Sequence, residues 1–393
     1  QFLNFMIERT ISDKLRQLVT KFPVVSLTGP RQSGKTTLLR NLFPDYTYVN
    51  LELPPVRQAA KESPQAFLRQ GNPGMIIDEA QHVPELFSYI QVEADEHQQN
   101  GRFLLCGSQH FLMMENISQS LAGRVAILQL LPFSFTELAA HEPWQPEDYR
   151  SPIFQGFFPR LYDHDIAPAD FYPSYIQTYL ERDARQVVNL LNLNRFQTFV
   201  QLCAGRIGQL FNQSEVGNEA GIDQKTARAW LSILETGFQV FTLRPYHRNF
   251  NKRIVKTPKI YFWDTGLACS LLGIQSPQDL LTHYARGALF ENFVIAEMLK
   301  QYHHRGMRPN AYFWRDHTGN EVDLLFDQGG QLYPIEIKSS QSLNPNFFRN
   351  LQKFHQISGT PLSQSYLVYG GDQRLDDDNG NLRGWRHVPE LYL

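Results

Sequence analysis

Residues Gly29–Thr37 read GPRQSGKTT. They follow FPVVSLTG (Phe22–Gly29), a short apolar run rich in β-branched residues, and precede LLRNLF (Leu38–Phe43), which has helical spacing. The order is therefore strand, then G-x-x-x-x-G-K-T, then helix. Glycine adopts backbone conformations closed to other residues, so the N–H groups of such a loop turn inward and meet an anion. The first turn of the helix adds its positive dipole end. Gly29, Pro30, Arg31, Gln32, Ser33, Gly34, Lys35, Thr36 and Thr37 form this phosphate cradle. A plain glycine-rich turn is the alternative, and it requires neither the strand before nor the helix after.

In a loop of this kind Lys35 reaches the β- and γ-phosphates and Thr36 holds Mg²⁺, so ATP and Mg²⁺ are the expected cofactors. A second element belongs on a neighbouring strand, and GMIIDEAQ (Gly74–Gln81) supplies it. Met75, Ile76 and Ile77 run without a polar break, as in a parallel strand covered on both faces. Asp78 at its end is placed to bind Mg²⁺ through water, and Glu79 to polarise the attacking water. The bland alternative is that both simply start the next turn. A third apolar strand, RFLLCGSQ, ends at Ser108 and Gln109, where a polar side chain can sense the γ-phosphate. Arg124 precedes a further apolar strand. Two readings of it stand: an arginine finger, in its own chain or a neighbouring subunit, or a solvated, ion-paired arginine. Strands near 22–28, 46–51, 74–78, 102–107 and 125–131 alternate with helical stretches, the pattern of a doubly wound α/β sheet.

The bulk numbers set the frame. At 393 residues the chain has room for several domains, and 42% hydrophobic residues suffice for their cores. A net charge of -2 excludes a polycation, so any nucleic-acid contact must be local. Cys106, Cys203 and Cys269 are too scattered for a disulfide framework or a cysteine zinc site, and read as reduced thiols of a cytoplasmic protein. No apolar run approaches a membrane span, and QFLNF at the start lacks the pattern of a secretion signal.

The phrases GPRQSGKTT, IIDEAQ, LLCGSQ, LAGR and PFSFTEL resemble the AAA-superfamily P-loop ATPases of bacteria and archaea that carry an uncharacterised carboxy-terminal region. The resemblance runs from Ile7 to about residue 360. It implies an additional-strand ATPase with Lys35, Thr36, Asp78 and Glu79 in the roles above.

The middle of the chain turns helical and aromatic. FYPSYIQTYLERDARQV reads as an amphipathic helix after Pro173. Within NQSEVGNEAGIDQKTARAWLSILETGFQVFTLRPY, Ser214 is the expected N-cap of one helix and Asp223 of the next. Ala227, Trp230, Leu231 and Leu234 repeat at helical spacing, with Gln224, Lys225 and Arg228 on the other face. Helix, tight turn, helix, strands is the order of a winged helix, whose second helix reads DNA in the nucleic-acid-binding version. Residues 236–263 contain no acid but include Arg244, Arg248, Lys252, Arg253, Lys256, Lys259 and His247. This basic wing suits phosphates, with an acidic protein partner as the alternative. Lys225, Arg228, Arg248, Lys252 and Arg253 are the candidate DNA contacts.

The tail holds RGALFENFVIAEMLK with Glu291, GNEVDLLF with Glu321 and Asp323, and YPIEIKSS with Glu336 and Lys338. Helix with Glu, strand with Asp, strand with Glu-x-Lys is the order of a PD-(D/E)XK nuclease-like core. Asp323, Glu336 and Glu291 are hard ligands for a second Mg²⁺ or Mn²⁺, with the Ile337 carbonyl beside them, and Lys338 is placed to activate water. The alternative is a retained fold without cleavage. Asp264 is expected to cap a helix, and His303–His304 to lie on the surface.

The expected architecture is thus α/β: a P-loop NTPase doubly wound parallel sheet (1–136), a helical linker or lid (137–190), a winged-helix module (191–265) and an α/β PD-(D/E)XK nuclease-like domain (266–393). The expected function is an ATPase that couples ATP binding or hydrolysis to DNA binding, with metal-dependent cleavage in the tail. The alternative is an ATP-gated DNA-binding regulator, or a protein-interaction switch, with a silent tail. Self-association into a homo-oligomer stays open.

Overall fold

In this computed structural model the described residues are 7–97, 99–107, 117, 119–141, 144–180, 193–246, 256–378 and 380–391. Ser108, Gln109, His247, Arg248, Lys252 and Arg253 lie outside them, as does the stretch 181–192. The chain forms two compact units. The first comprises residues 1–133 with 236–238 and 302–307; the second holds 134–235, 239–301 and 308–393.

The first unit is built on five parallel strands: β1 (Val24–Thr28), β2 (Thr47–Asn50), β3 (Met75–Asp78), β4 (Phe103–Gly107) and β5 (Val125–Gln129). Their order is β2-β3-β4-β1-β5. The expected apolar runs become these strands. β1, β3 and β4 are buried along their whole length because both faces are covered. Helices α1 (Ile11–Val19) and α2 (Lys35–Leu42) pack on one face with Leu27, Ile76, Leu104 and Cys106. Helix α3 (Leu86–His97) packs on the other with Val24, Met75, Ile77 and Phe103. Successive β3 residues thus enter opposite cores, as the period of two requires. Strand β4 lies between β1 and β3, the additional strand that the resemblance implies.

The second unit contains a mixed eight-stranded sheet. Its strands are β6 (Val240–Pro245), β7 (Lys259–Phe262), β8 (Ala311–Arg315), β9 (Glu321–Gln328), β10 (Gln331–Lys338), β11 (Tyr366–Tyr369), β12 (Arg374–Leu375) and β13 (Asn381–Gly384). They are ordered β12-β13-β11-β10-β9-β8-β6-β7. The antiparallel β6–β7 pair, expected as a wing, joins the tail through β8, with Arg244 opposite Tyr312. One sheet therefore runs across the boundary expected at residue 265.

Ahead of that pair lie α4 (Leu193–Gly205), α5 (Gln213–Glu219) and α6 (Gln224–Thr236). Ala227, Trp230, Leu231 and Leu234 are buried, and Gln224, Lys225 and Arg228 are exposed. The Trp230 ring meets Phe196 and Phe199 of α4 edge-on, at 5.3 and 5.6 Å between centroids. Asp223 caps α6 by accepting from the Thr226 N–H at 2.7 Å. The cap of α5 is Asn212, not Ser214. Its short carboxamide oxygen accepts from the N–H groups of Ser214 (3.1 Å) and Glu215 (3.4 Å), so the helix starts one residue before Ser214. Pro173 lies inside the helix Pro168–Tyr175 rather than ahead of it, and a π-helical turn, Ile176–Leu180, follows. Asp264 caps Thr265–Leu271 through the Leu267 N–H. Helices α7 (Arg286–His304) and α8 (Arg349–Ser358) complete the elements used below. Leu289, Phe293 and Ala296 of α7 face the core as expected, but His304 is buried rather than on the surface.

Candidate functional site

The GPRQSGKTT loop leaves the carboxyl end of β1 and enters α2 at Gly34, whose φ of 88° lies in the left-handed region. Gly29 is required for another reason: a Cβ there would meet the Leu130 carbonyl oxygen at 2.1 Å. The Lys35 ammonium folds back onto the loop and donates to the carbonyls of Gly29 (3.0 Å) and Pro30 (2.7 Å). Burial lowers its pKa, against the opposing pull of Glu79. The Ser33 hydroxyl is buried with no hydrogen-bond partner among the described residues. Arg31 and Gln32 are half-buried and Thr37 is exposed. Arg9, a residue outside every motif of the sequence, braces the loop from behind. It donates to the carbonyls of Ser33 (2.9 Å) and Leu131 (2.7 Å) and stacks on Phe133.

Asp78 ends β3 beside this loop. Its Oδ2 accepts from the Thr36 hydroxyl at 2.8 Å and from the Tyr48 phenol at 2.9 Å. Its Oδ1 accepts from the Glu79 N–H at 3.1 Å and from the Cys106 thiol at 2.9 Å. Glu79 itself sits at φ 53°, a left-handed conformation uncommon outside glycine, and its carboxylate accepts from the Gln81 amide. Lys35, Thr36, Asp78 and Glu79 are thus gathered at one edge of the sheet. Tyr48 and Cys106 are site residues that the motifs do not reveal. The available signal was parity: Asn50, Asp78 and Cys106 lie opposite one another, and Tyr48 shares the face of Asn50.

Arg124 is at the other edge. β5 begins opposite Val24, the first residue of β1, whereas the loop follows Thr28. Across the five residues of β1 that is about 16 Å of strand. Arg124 grips Asp95 instead, Nε to Oδ1 at 2.5 Å and Nη2 to Oδ2 at 2.9 Å. The reading as a finger within its own chain is corrected on that ground.

In the tail, Glu291 comes from α7, Asp323 from β9, and Glu336 and Lys338 from β10. The Lys338 ammonium is 2.5 Å from Glu336 Oε1 and 3.8 Å from Asp323 Oδ2. Asn350 of α8 also donates to Glu336 Oε1, at 2.8 Å, while Oε2 is buried with no partner among the described residues. Burial and the neighbouring Asp323 charge push the Glu336 carboxyl up to about 8, with Lys338 opposing. Asp323 accepts from the Ile337 N–H at 2.8 Å. Glu291 belongs to a second knot. Its Oε1 accepts from the Tyr261 phenol at 2.6 Å and from Lys259 Nζ at 3.3 Å, and Lys259 reaches Glu321 at 2.5 Å. Burial raises the Glu291 carboxyl to about 7, with Lys259 opposing. Among the described residues no group of three His, Cys, Asp or Glu side chains stands ready to hold a metal ion. Two ammonium groups, Lys259 and Lys338, sit among these acids, and the Asp323 charge acts on both Glu291 and Glu336.

Lys259 is also removed from the expected basic wing, because it is buried, 2% exposed. Lys225, Arg228, Arg244 and Lys256 remain exposed. Arg228, Arg244 and Lys256 line a groove of about 940 Å³ with Leu231, Tyr246 and Tyr312. Its two carboxylates, Glu235 and Asp327, accept from Thr242 and Tyr246. No helix among the described residues is long and apolar enough to cross a membrane.

Residues 21–139 match the AAA domain, 146–278 a domain of unknown function (DUF8612), and 286–387 another (DUF4143). The chain is 32% identical over 372 residues to the uncharacterized protein Rv2008c of Mycobacterium tuberculosis and, equally, to Mb2031c of Mycobacterium bovis. The match covers 93% of this chain and 81% of theirs. Among solved structures, the Walker-type ATPase PABY2304 of Pyrococcus abyssi is similar at 15% identity and a TM-score of 0.45, over 66% of this chain and 94% of that one. AMPPCP-bound DnaA of Aquifex aeolicus is similar at 12% identity and a TM-score of 0.31, over 57% of this chain and 85% of that one.

Proposed function

Because this chain belongs to the family of the mycobacterial proteins Rv2008c and Mb2031c and carries an AAA domain, we propose that it is a P-loop ATPase whose nucleotide state governs DNA binding by its second unit. One observation carries the ATPase reading: Lys35, Thr36, Asp78 and Glu79 meet at the loop, with Thr36 and Asp78 already hydrogen-bonded at 2.8 Å. The residues fit a triphosphate. Among the described residues the Ser33 hydroxyl has no partner, and the Lys35 ammonium donates to carbonyls that a phosphate oxygen outcompetes. Bound ATP and Mg²⁺ would supply the leaving phosphate chain and the charge that balances it. The loop N–H groups and Lys35 bind the phosphates, Thr36 and Asp78 hold the cation's shell, and Glu79 orients the attacking water.

Phosphate release and nucleotide binding test this reading. Wild type hydrolyses ATP with Mg²⁺, Lys35→Ala loses both binding and turnover, and Glu79→Gln binds but does not turn over. A wild-type protein that binds no nucleotide would sink the proposal.

The DNA reading is supported by Arg228, Arg244 and Lys256, which make no ion pair among the described residues, and by exposed Lys225. Such contacts displace counterions, so the affinity must fall steeply with salt. A flat salt dependence would favour a protein partner instead.

For the tail, one observation favours the silent reading over cleavage. Lys259 and the Tyr261 phenol already hold Glu291, which a second Mg²⁺ or Mn²⁺ would need, whereas Lys338 beside Glu336 and Asp323 suits either reading. Cleavage of linear, supercoiled or single-stranded DNA that Asp323→Ala abolishes would reverse that choice.

A further inference from the structure

Four donors from four places surround the Asp78 carboxylate: Thr36 at the start of α2, Tyr48 on β2, the Glu79 N–H at the end of β3, and Cys106 on β4. A free aspartate rotates broadly about its last torsion. Here each oxygen is held from two sides. The geometry comes from the sheet order: β3 lies between β2 and β4, so the residue ending it is reached from both neighbouring strands. The side chains of Tyr48 and Cys106 both lie on the α2 face of the sheet, among the same apolar cluster.

We propose that Tyr48 and Cys106 are positioning residues for the divalent cation of the bound nucleotide: they lock Asp78 in the rotation that meets the cation's water shell. The inference rests on the ATPase reading above and adds two residues to it. Packing alone does not account for these groups. Phenylalanine fills the Tyr48 site without a hydroxyl, and alanine or valine suits a buried strand position such as Cys106, which is fully buried. The Tyr48 ring is itself fixed, with the Arg40 guanidinium 4.8 Å above its centre. Neither Tyr48 nor Cys106 touches the nucleotide; each acts through Asp78.

The test is Mn²⁺ binding in the presence of a non-hydrolysable ATP analogue, read from the paramagnetic resonance of free Mn²⁺, beside the Mg²⁺ dependence of hydrolysis. Groups that orient a metal's ligands are worth about 10- to 100-fold in metal affinity, and sharing among four donors puts Tyr48→Phe near the low end, about tenfold. Affinity for the analogue without metal should stay at the wild-type value. The hydrolysis defect should shrink as Mg²⁺ is raised. Cys106→Ala should weaken Mn²⁺ by a smaller factor, roughly threefold for a weak thiol donor, and Cys106→Ser, which keeps a donor, should recover it. Tyr48→Phe retains the ring over Arg40, so it carries the test even where a Cys106 variant misfolds. Mn²⁺ affinity within twofold of wild type for Tyr48→Phe, with a lowered melting temperature, overturns the proposal and leaves a packing role. A wild-type protein that binds no analogue overturns both this proposal and the ATPase reading, which separates the two failures.

Discussion

Replacing Lys259 with methionine tests the charge arrangement of the second unit. The Lys259 ammonium is 2% exposed, 2.5 Å from Glu321 and 3.3 Å from Glu291. Removing one partner of a buried pair costs about 3–5 kcal/mol, because the other charge is left uncompensated. The loss falls unevenly. Glu321 is 22% exposed and keeps Arg315 at 3.3 Å, so water and guanidinium cover it. Glu291 keeps only the Tyr261 phenol among the bonds described. Its carboxyl stands at about 7 with Lys259 present, so without the lysine it climbs further and takes up a proton. Protonation caps the penalty at low pH. An acid whose folded pKa lies above its unfolded value contributes stability below the unfolded value and loses it as pH rises towards the folded one. The deficit of Lys259→Met should therefore grow with pH, to about 3 kcal/mol at pH 8 and roughly half that at pH 6. Urea unfolding followed by circular dichroism at both pH values reads it directly. Adding Glu291→Gln should recover much of the loss, since contacting residues couple. DNA affinity at fixed salt should not change, because Lys259 does not reach solvent. A deficit below about 0.5 kcal/mol at pH 8, the scale of ordinary surface changes, or one independent of pH, would refute the reasoning.

Other outcomes follow from the same geometry. Glu336→Gln should flatten the decline in stability between about pH 5 and 8, the window between the ordinary carboxylate value and the raised one, as read from melting curves. Gly29→Ala should abolish nucleotide binding measured by calorimetry, because its Cβ would lie 2.1 Å from the Leu130 oxygen. Asn212→Ala should cost about 1 kcal/mol in urea unfolding, and Ser214→Ala distinctly less. Arg124→Ala removes an exposed, solvent-screened pair, so it should leave the melting temperature nearly unchanged and ATP hydrolysis unchanged in dilute protein. A loss seen only at concentrations where the chain self-associates would restore the finger reading, supplied from a neighbouring subunit.

The residues of the amino-terminal site are largely legible in the sequence. They sit at the ends of strands whose apolar runs are continuous, and the loop spacing is set by the phosphate chain it accepts. The faces of α6 are equally readable, since Ala227, Trp230, Leu231 and Leu234 repeat at 3.6. The cap of α5 is not, because Asn212 and Ser214 are both good caps, and only backbone direction chooses between them. The wing misleads at Lys259. A count of basic residues carries no information on which of them points inward, and the acids that draw Lys259 in belong to α7 and β9. Arg124 misleads for a related reason: its position in the sequence does not reveal which end of a parallel sheet it occupies.

What the amino-acid order determined by itself was local: a phosphate loop between strand and helix, an acid pair closing a buried strand, and helices with one apolar face. Each depends on neighbours a few residues apart, whose relative directions the backbone dictates. What only the tertiary structure decided was how distant charges share space. The sheet order set Tyr48 and Cys106 around Asp78 and put Lys259 among the acids of α7 and β9. Electrostatic energy depends on separation and burial, and neither exists until the chain has folded.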